Sequence, residues 1–198
     1  MTAFATLLSA PGVEEVSELR GTVGVMAYHG GNLELMTDVI AERVAAASGA
    51  SFYAVRQPDG MRDHLPSTKV RPAESARLAA FIDHVEIVMT IHGFGRMGLF
   101  GSLLLGGRNR VFAEHVGDAL RDALPAYDIR TDIDEIPPPL RGQHPHNPVN
   151  LPSNSGVQIE LPPRVRGSSP LWWDWEGPGL TPHTESLIAG LVAAIETW

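Results

Sequence analysis

The chain predicts an α/β fold with a mostly parallel sheet, and three observations carry that prediction. Apolar runs rich in β-branched residues recur at 23–28, 51–55, 85–91 and 156–161. Between them lie segments with the 3-4 spacing of amphipathic helices. Two of the runs finish alike, in His29-Gly30 and His92-Gly93, and parallel sheets place ligands at the carboxyl ends of their strands.

Taken in order, residues 1–21 read as an ill-defined lead-in with a break at Pro11-Gly12 and a helical turn or two over 13–19. A strand follows from Val23 to Tyr28. The next helix runs from Leu33 to Ala47, with Asn32 as its cap, Glu34 in its first turn and Ser48-Gly49 closing it. Ser51 to Val55 is a second strand. Residues 57–70, polar and carrying His64, read as a loop over the site. Pro72 opens a helix reaching Asp83. Val85 to Ile91 is the strongest strand pattern in the chain, and Gly101 to Gly107 reads as another. Arg110 to Leu124 is a helix with Val111, His115, Leu120 and Leu124 among its inner positions. Ala126 to Thr131 is an edge strand. Residues 136–155 are too dense in Pro and Asn for a regular element. Gly156 to Leu161 is a strand that sets Val157, Ile159 and Leu161 on one face and Gln158 and Glu160 on the other. Trp172, Trp173 and Trp175 read as a clamp pinning the tail, ahead of a last helix over 182–197.

Composition narrows the function. The 198 residues, 43% of them hydrophobic, suit one domain with a substantial core. With no cysteine, disulfides and thiolate metal sites are excluded, so any metal falls to His, Asp or Glu. A net charge of −8 without a basic run argues against a nucleic-acid partner. An anionic substrate therefore needs a local positive patch. No run approaches the roughly 20 apolar residues of a membrane span. The first residues lack a basic stretch and a long apolar core, so no signal peptide is expected and cytoplasmic is the default location.

Two His and one carboxylate with an open fourth position is the pattern of a catalytic zinc. His29, Glu34 and His92 supply that set. Such an ion brings the pKa of water to about 7 and polarises a carbonyl. A base is then needed for the proton, and Glu160, fixed on a strand that otherwise reads as buried, is the candidate. Plainer readings stand beside this one. A His after a strand is commonly a hydrogen-bonded turn residue, Glu34 suits a helix dipole, and Glu160 would face water on an edge strand. His144 and His146 lie between prolines and read as solvated or substrate-facing. His115 reads as packing or surface, and His84 and His183 as surface.

The segments HGGNLE at 29–34, HLPST at 64–68, IHGFG at 91–95 and LLLGG at 103–107, then Asn147, Asn150 and GVQIELP at 156–162, occur in an order that resembles the poly-γ-glutamate hydrolase family. Its members are phage and bacterial proteins of zinc carboxypeptidase-like fold. The resemblance spans about residues 23 to 166. It implies a mixed, largely parallel sheet flanked by helices. It also implies one hydrolase domain over 1–198, with its core at about 22–166 and a terminal helix at about 182–197. One zinc would be held by His29, Glu34 and His92, with Glu160 as general base and acid, cutting the amide between γ-linked glutamates.

Relatives often continue Asn-x-x-Asn with Arg, where this chain has Leu151, and a later glycine is Ser155. Arginine suits a substrate carboxylate because it binds one through two donors. Arg96 and Arg141 are the substitutes in view, with Asn147 and Asn150 as further candidates and His64 as a hydrogen-bonding partner. The expected substrate is an anionic peptide-like chain or an acyl-amino acid. The same ligand set would also serve an N-acyl amino acid deacylase, and a relative that has lost catalysis would keep only the binding surface. An enzyme of phage type would also leave a cell by lysis. Oligomeric state is left open.

Overall fold

The computed structural model describes residues 2–172 and 175–198. Seven strands form one sheet: β1 (Glu14–Glu18), β2 (Val23–Gly31), β3 (Ser51–Gln57), β4 (Ile87–Gly93), β5 (Ser102–Gly106), β6 (Asp128–Arg130) and β7 (Gly156–Leu161). Their spatial order is β1-β3-β2-β4-β7-β5-β6. The central pairs β3–β2, β2–β4 and β4–β7 are parallel, as is β5–β6, whereas β1–β3 and β5–β7 are antiparallel. The sheet is thus mixed and largely parallel, and its middle strands read as continuous apolar runs because both faces are covered.

The helices are α1 (Ala3–Leu8), α2 (Thr37–Ser48), α3 (Ala76–His84), α4 (Arg110–Ala123) and α5 (Pro182–Glu196). On one face α2, α4 and α5 bury Ile40, Val44, Phe112, Val116, Leu187 and Leu191 against Val25, Met89 and Ile159. On the other, α1 and α3 bring Phe4, Leu7, Leu78 and Phe81 to Met26, Tyr53 and Val88. Among the described residues no helix is long and apolar enough to cross a membrane.

Several boundaries differ from expectation for physical reasons. The lead-in is a short helix and a strand, not a turn or two over 13–19: Glu14–Glu18 pairs antiparallel with β3 and covers its outer edge. The helix expected from Leu33 starts only at Thr37. Met36 ahead of it is left-handed at φ 74°, and the Asn32 amide, instead of capping, donates to the Met61 carbonyl at 3.1 Å. Glu34 therefore stands in a turn. Pro72 opens a single 3-10 turn, and α3 begins later, capped by the Ser75 hydroxyl accepting from Leu78 N at 3.0 Å. On helix α4 the expected inner Leu120 and Leu124 are buried, and Val111 departs from the expected face. Val111 is 72% exposed, and Phe112, Ala113, Val116 and Leu120 are buried. Trp172 packs edge-on against His183 at the start of α5, with ring centroids 4.9 Å apart, and against Trp175, so it touches the tail as a clamp would although both indoles are partly to substantially exposed; Trp173 lies outside the described residues.

The sense of α4 is directly testable. Leu120→Ala is expected to cost about 2–5 kcal/mol and Val111→Ala less than about 0.5 kcal/mol, compared by urea unfolding. Equal losses would reverse the assignment.

Candidate metal centre and active site

The carboxyl ends of β2, β4 and β7 lie side by side, and the chemistry-bearing side chains gather there. The register sets His92 opposite Glu160 on neighbouring parallel strands. On β2 a bulge shifts the register between Ala27 and Gly30. Strand alternation would send Tyr28 and His29 to opposite faces. The bulge instead lets both rings reach the site, with centroids 4.9 Å apart. Beyond His29 the chain turns on Gly31, at φ 66°, where a Cβ would fall 2.2 Å from the Gln57 carbonyl. The Asp38 carboxylate accepts from Gly31 N at 3.0 Å and pairs with Arg56 Nε at 2.9 Å, locking the turn that presents Glu34.

One carboxylate links the two histidines. Glu34 Oε1 lies 2.9 Å from His29 Nδ1; Oε2 lies 3.3 Å from His92 Nδ1 and accepts from Gly93 N at 2.8 Å. Burial alone would raise the Glu34 pKa, but the charge of His92 and the hydrogen bonds from both imidazoles hold it below the usual carboxylate range. Burial works against a charged His92, yet the Glu34 carboxylate outweighs it and raises its pKa.

The far nitrogens decide what the near ones can do. His29 Nε2 faces the Leu65 carbonyl at 2.9 Å. A carbonyl only accepts, so Nε2 carries the proton and a neutral His29 points a bare Nδ1 lone pair at a carboxylate. His92 is held alike. The Tyr28 hydroxyl donates to Asn147 Oδ1 at 3.2 Å, which leaves it to accept from His92 Nε2 at 2.9 Å. Burial raises the Tyr28 pKa, so the phenol keeps its proton. In the neutral tautomers both Nδ1 lone pairs face carboxylate oxygens; a second proton on the ring, which Glu34 favours at His92, satisfies the contact without a metal, and in its absence two imidazole nitrogens and one carboxylate fit a zinc-sized ion.

His64 is the third imidazole. Its ring is 5.0 Å from that of His29, and the ligand atoms of His29, Glu34 and His64 all lie within 4.8 Å of one another. His64 stands exposed on the loop, whereas His92 is 3% exposed.

Glu160 is buried, and burial pushes its pKa up to about 7, with the Glu34 charge adding to the rise and His92 opposing it. Its Oε1 accepts from Gln158 Nε2 at 2.9 Å, and Gln158 Oε1 accepts from Asn147 Nδ2 at 2.8 Å. A continuous hydrogen-bonded chain therefore runs from His92 through Tyr28, Asn147 and Gln158 to Glu160. The cleft in front of it holds about 610 Å³ and is walled by the loop at 64–68 and by residues 138–144.

The other residues in view are placed differently. Asn147 lines the cleft with both ends of its amide engaged. Asn150 ties its own loop together, donating to the Gly142 and His144 carbonyls and accepting from Arg108 N. Arg141 lines the cleft, but its Nε and Nη2 donate to the Ile136 and Asp134 carbonyls. Arg96 is exposed on the loop after β4 and does not line this cleft. Tyr28, Gln158 and Arg166 were missed. Gln158 was legible in principle, because it shares a strand face with Glu160.

A sequence profile described as poly-gamma-glutamate hydrolase matches residues 6–169. Among solved structures, the chain is similar to a bacteriophage poly-gamma-glutamate hydrolase at 19% identity and a TM-score of 0.76, over 94% of this chain and 90% of that one. It is also similar to the zinc-free apo form of YNDL at 19% identity and a TM-score of 0.72, over 93% and 89%. A candidate carboxypeptidase from Burkholderia mallei superposes at 15% identity and a TM-score of 0.56, over 96% of this chain and 64% of that one. No curated protein matches the sequence.

Tyr28→Phe tests the buried chain. It strips the hydroxyl from between His92 Nε2 and Asn147 Oδ1, and a loss of about 1–3 kcal/mol is expected by thermal or urea unfolding. Wild-type stability would mean that the network carries no such constraint.

Proposed function

The chain belongs to the poly-gamma-glutamate hydrolase family, and on that premise we propose that this hydrolase is a zinc-dependent amidohydrolase cutting γ-glutamyl amide bonds. The observation that carries the reading is the convergence of His29 Nδ1 and His92 Nδ1 on the two oxygens of Glu34, with each far nitrogen already spoken for. His29, Glu34 and His92 would hold the ion. Bound there, zinc supplies Lewis acidity toward the amide carbonyl and acidifies water.

The chain's own groups account for the proton. Glu160 takes it from the attacking water and returns it to the departing nitrogen, a double duty suited to a carboxyl poised at about 7. Gln158 fixes Oε1 of that carboxylate, leaving the other oxygen for the reaction. The walls at 64–68 and 138–144 position the amide and narrow the access of bulk water. His64, at the mouth, is placed to hydrogen-bond the substrate. Its closeness to His29 and Glu34 also supports a second reading, in which it is a metal ligand.

Two experiments separate these roles. Elemental analysis of the zinc-loaded protein is expected to give about one zinc per chain, lost in His29→Ala and His92→Ala and kept in His64→Ala; loss in His64→Ala with retention in His92→Ala would transfer the third ligand to His64. Glu160→Gln is expected to keep its zinc and lower kcat by at least about 100-fold on a γ-linked glutamate polymer. Full turnover in that variant refutes the proton-transfer role. Cleavage of monomeric N-acyl amino acids alone would make the protein a deacylase.

A further inference from the structure

We propose that a second cleft beside the candidate active site is a carboxylate subsite, in which Arg62 and Arg166 receive the carboxylate of the residue next to the scissile bond in an anionic glutamyl chain. The inference rests on the hydrolase reading above and names a substrate feature that the site would recognise.

The cleft holds about 280 Å³ and shares Glu34, Gly93 and Phe94 with the larger one. It is smaller than the roughly 300–1,000 Å³ of whole-ligand pockets and suits a single pendant group. Leu33, Leu35 and Pro163 add apolar lining, against which the main-chain methylenes of a γ-linked glutamyl residue can pack while its pendant α-carboxylate enters. Its depth is set by Arg166, only 6% exposed. The guanidinium lies against the backbone of Gly93, where a Cβ would stand 2.7 Å from its Cζ. Nε donates to the Leu161 carbonyl at 3.1 Å and Nη1 to the Leu35 carbonyl. Nη2 bonds to no described residue, and it is not among the sealed atoms without a partner. No described carboxylate forms an ion pair with this buried cation: Glu34 and Glu160 act on it only through space, which leaves Nη2 open to an entering carboxylate.

Arg62 closes the cleft from the loop. It is exposed and without an ion pair or hydrogen bond among the described residues, yet its neighbours are pinned. The Met61 carbonyl accepts from Asn32 Nδ2 at 3.1 Å, and Asp63 exchanges two bonds with the Gln57 amide at 2.8 and 2.9 Å. The loop therefore presents Arg62 in a fixed place. A carboxylate entering here meets one guanidinium from the wall and one from the rim, whereas Arg141 is already committed to carbonyls.

The test is binding, measured by fluorescence anisotropy in the Glu160→Gln chain so that nothing is cut. Probes are a γ-linked glutamate oligomer, its carboxamide analogue and an α-linked glutamate oligomer. Adding Arg62→Ala or Arg166→Lys is expected to weaken the γ-linked oligomer at least about tenfold and to leave the carboxamide analogue unchanged. Arg62, being exposed, decides the matter if the Arg166 variant does not fold. Undiminished binding of the γ-linked oligomer to Arg62→Ala overturns the subsite and leaves the hydrolase reading standing. Binding of the α-linked oligomer alone, still dependent on Arg62, keeps the subsite and refutes the γ-glutamyl reading. No binding of either oligomer to the parent overturns both.

Discussion

The Glu34 carboxylate spans two imidazoles, with His29 Nδ1 on one oxygen and His92 Nδ1 and the Gly93 amide on the other. Each contact comes from a different piece of backbone. His29 ends β2, His92 ends β4, and Glu34 stands in a turn between β2 and α2. Holding a charged group in a buried place demands that every side of it be satisfied, and the surrounding structure answers that demand. The bulge aims His29, Gly31 allows the chain to double back against Gln57, and the Asp38–Arg56 pair keeps the turn closed. Parallel pairing of β2 with β4 then brings the second imidazole alongside.

How much of this a sequence can show depends on the range of the interaction. Strand ends are local: an apolar run followed by His-Gly marks where a side chain will be delivered, and His29, His92 and Glu160 do lie together at the ends of neighbouring strands. The family order of segments was legible too. What was hidden is what depends on pairing. Glu14–Glu18 is charged and short, and it is a strand only because β3 offers it an edge. The start of α2 was lost because a left-handed Met36 and a distant acceptor for Asn32 override its capping propensity. On α4 the spacing places Leu120 and Leu124 inside as found, but at the first turn Phe112 and not Val111 faces the core.

The irregular stretch at 136–155 is where sequence said least and structure says much. Prolines remove donors and fix φ, but its side-chain amides replace the missing order. Asn150 closes the loop on itself, and Asn147 spans Tyr28 and Gln158. Because Tyr28 in turn holds His92 and Gln158 holds Glu160, that loop fixes a candidate ligand and the candidate base together. A shift in it moves both. Asn147, read from the sequence as a substrate contact, lines the cleft and also orients Tyr28 and Gln158.

The charges at this end of the sheet follow from the same geometry. Glu34 and Glu160 place two carboxyl groups in a buried cleft of a chain that already carries −8 overall. Each negative charge disfavours the other, which is part of why Glu160 is driven up to about 7 while Glu34, paired with the imidazoles, stays ionised. An anionic chain approaching such a site meets repulsion from the molecule as a whole. It can settle only where positive charge is closer than the average negative field. Two places would offer that: a cation held where His29 and His92 converge on Glu34, and Arg166 behind Gly93. They lie on opposite sides of the Glu34–Gly93 wall. An amide carbonyl held at the first and a carboxylate at the second would lie on either side of that wall, so the wall would set the spacing between the bond to be cut and the charge beside it.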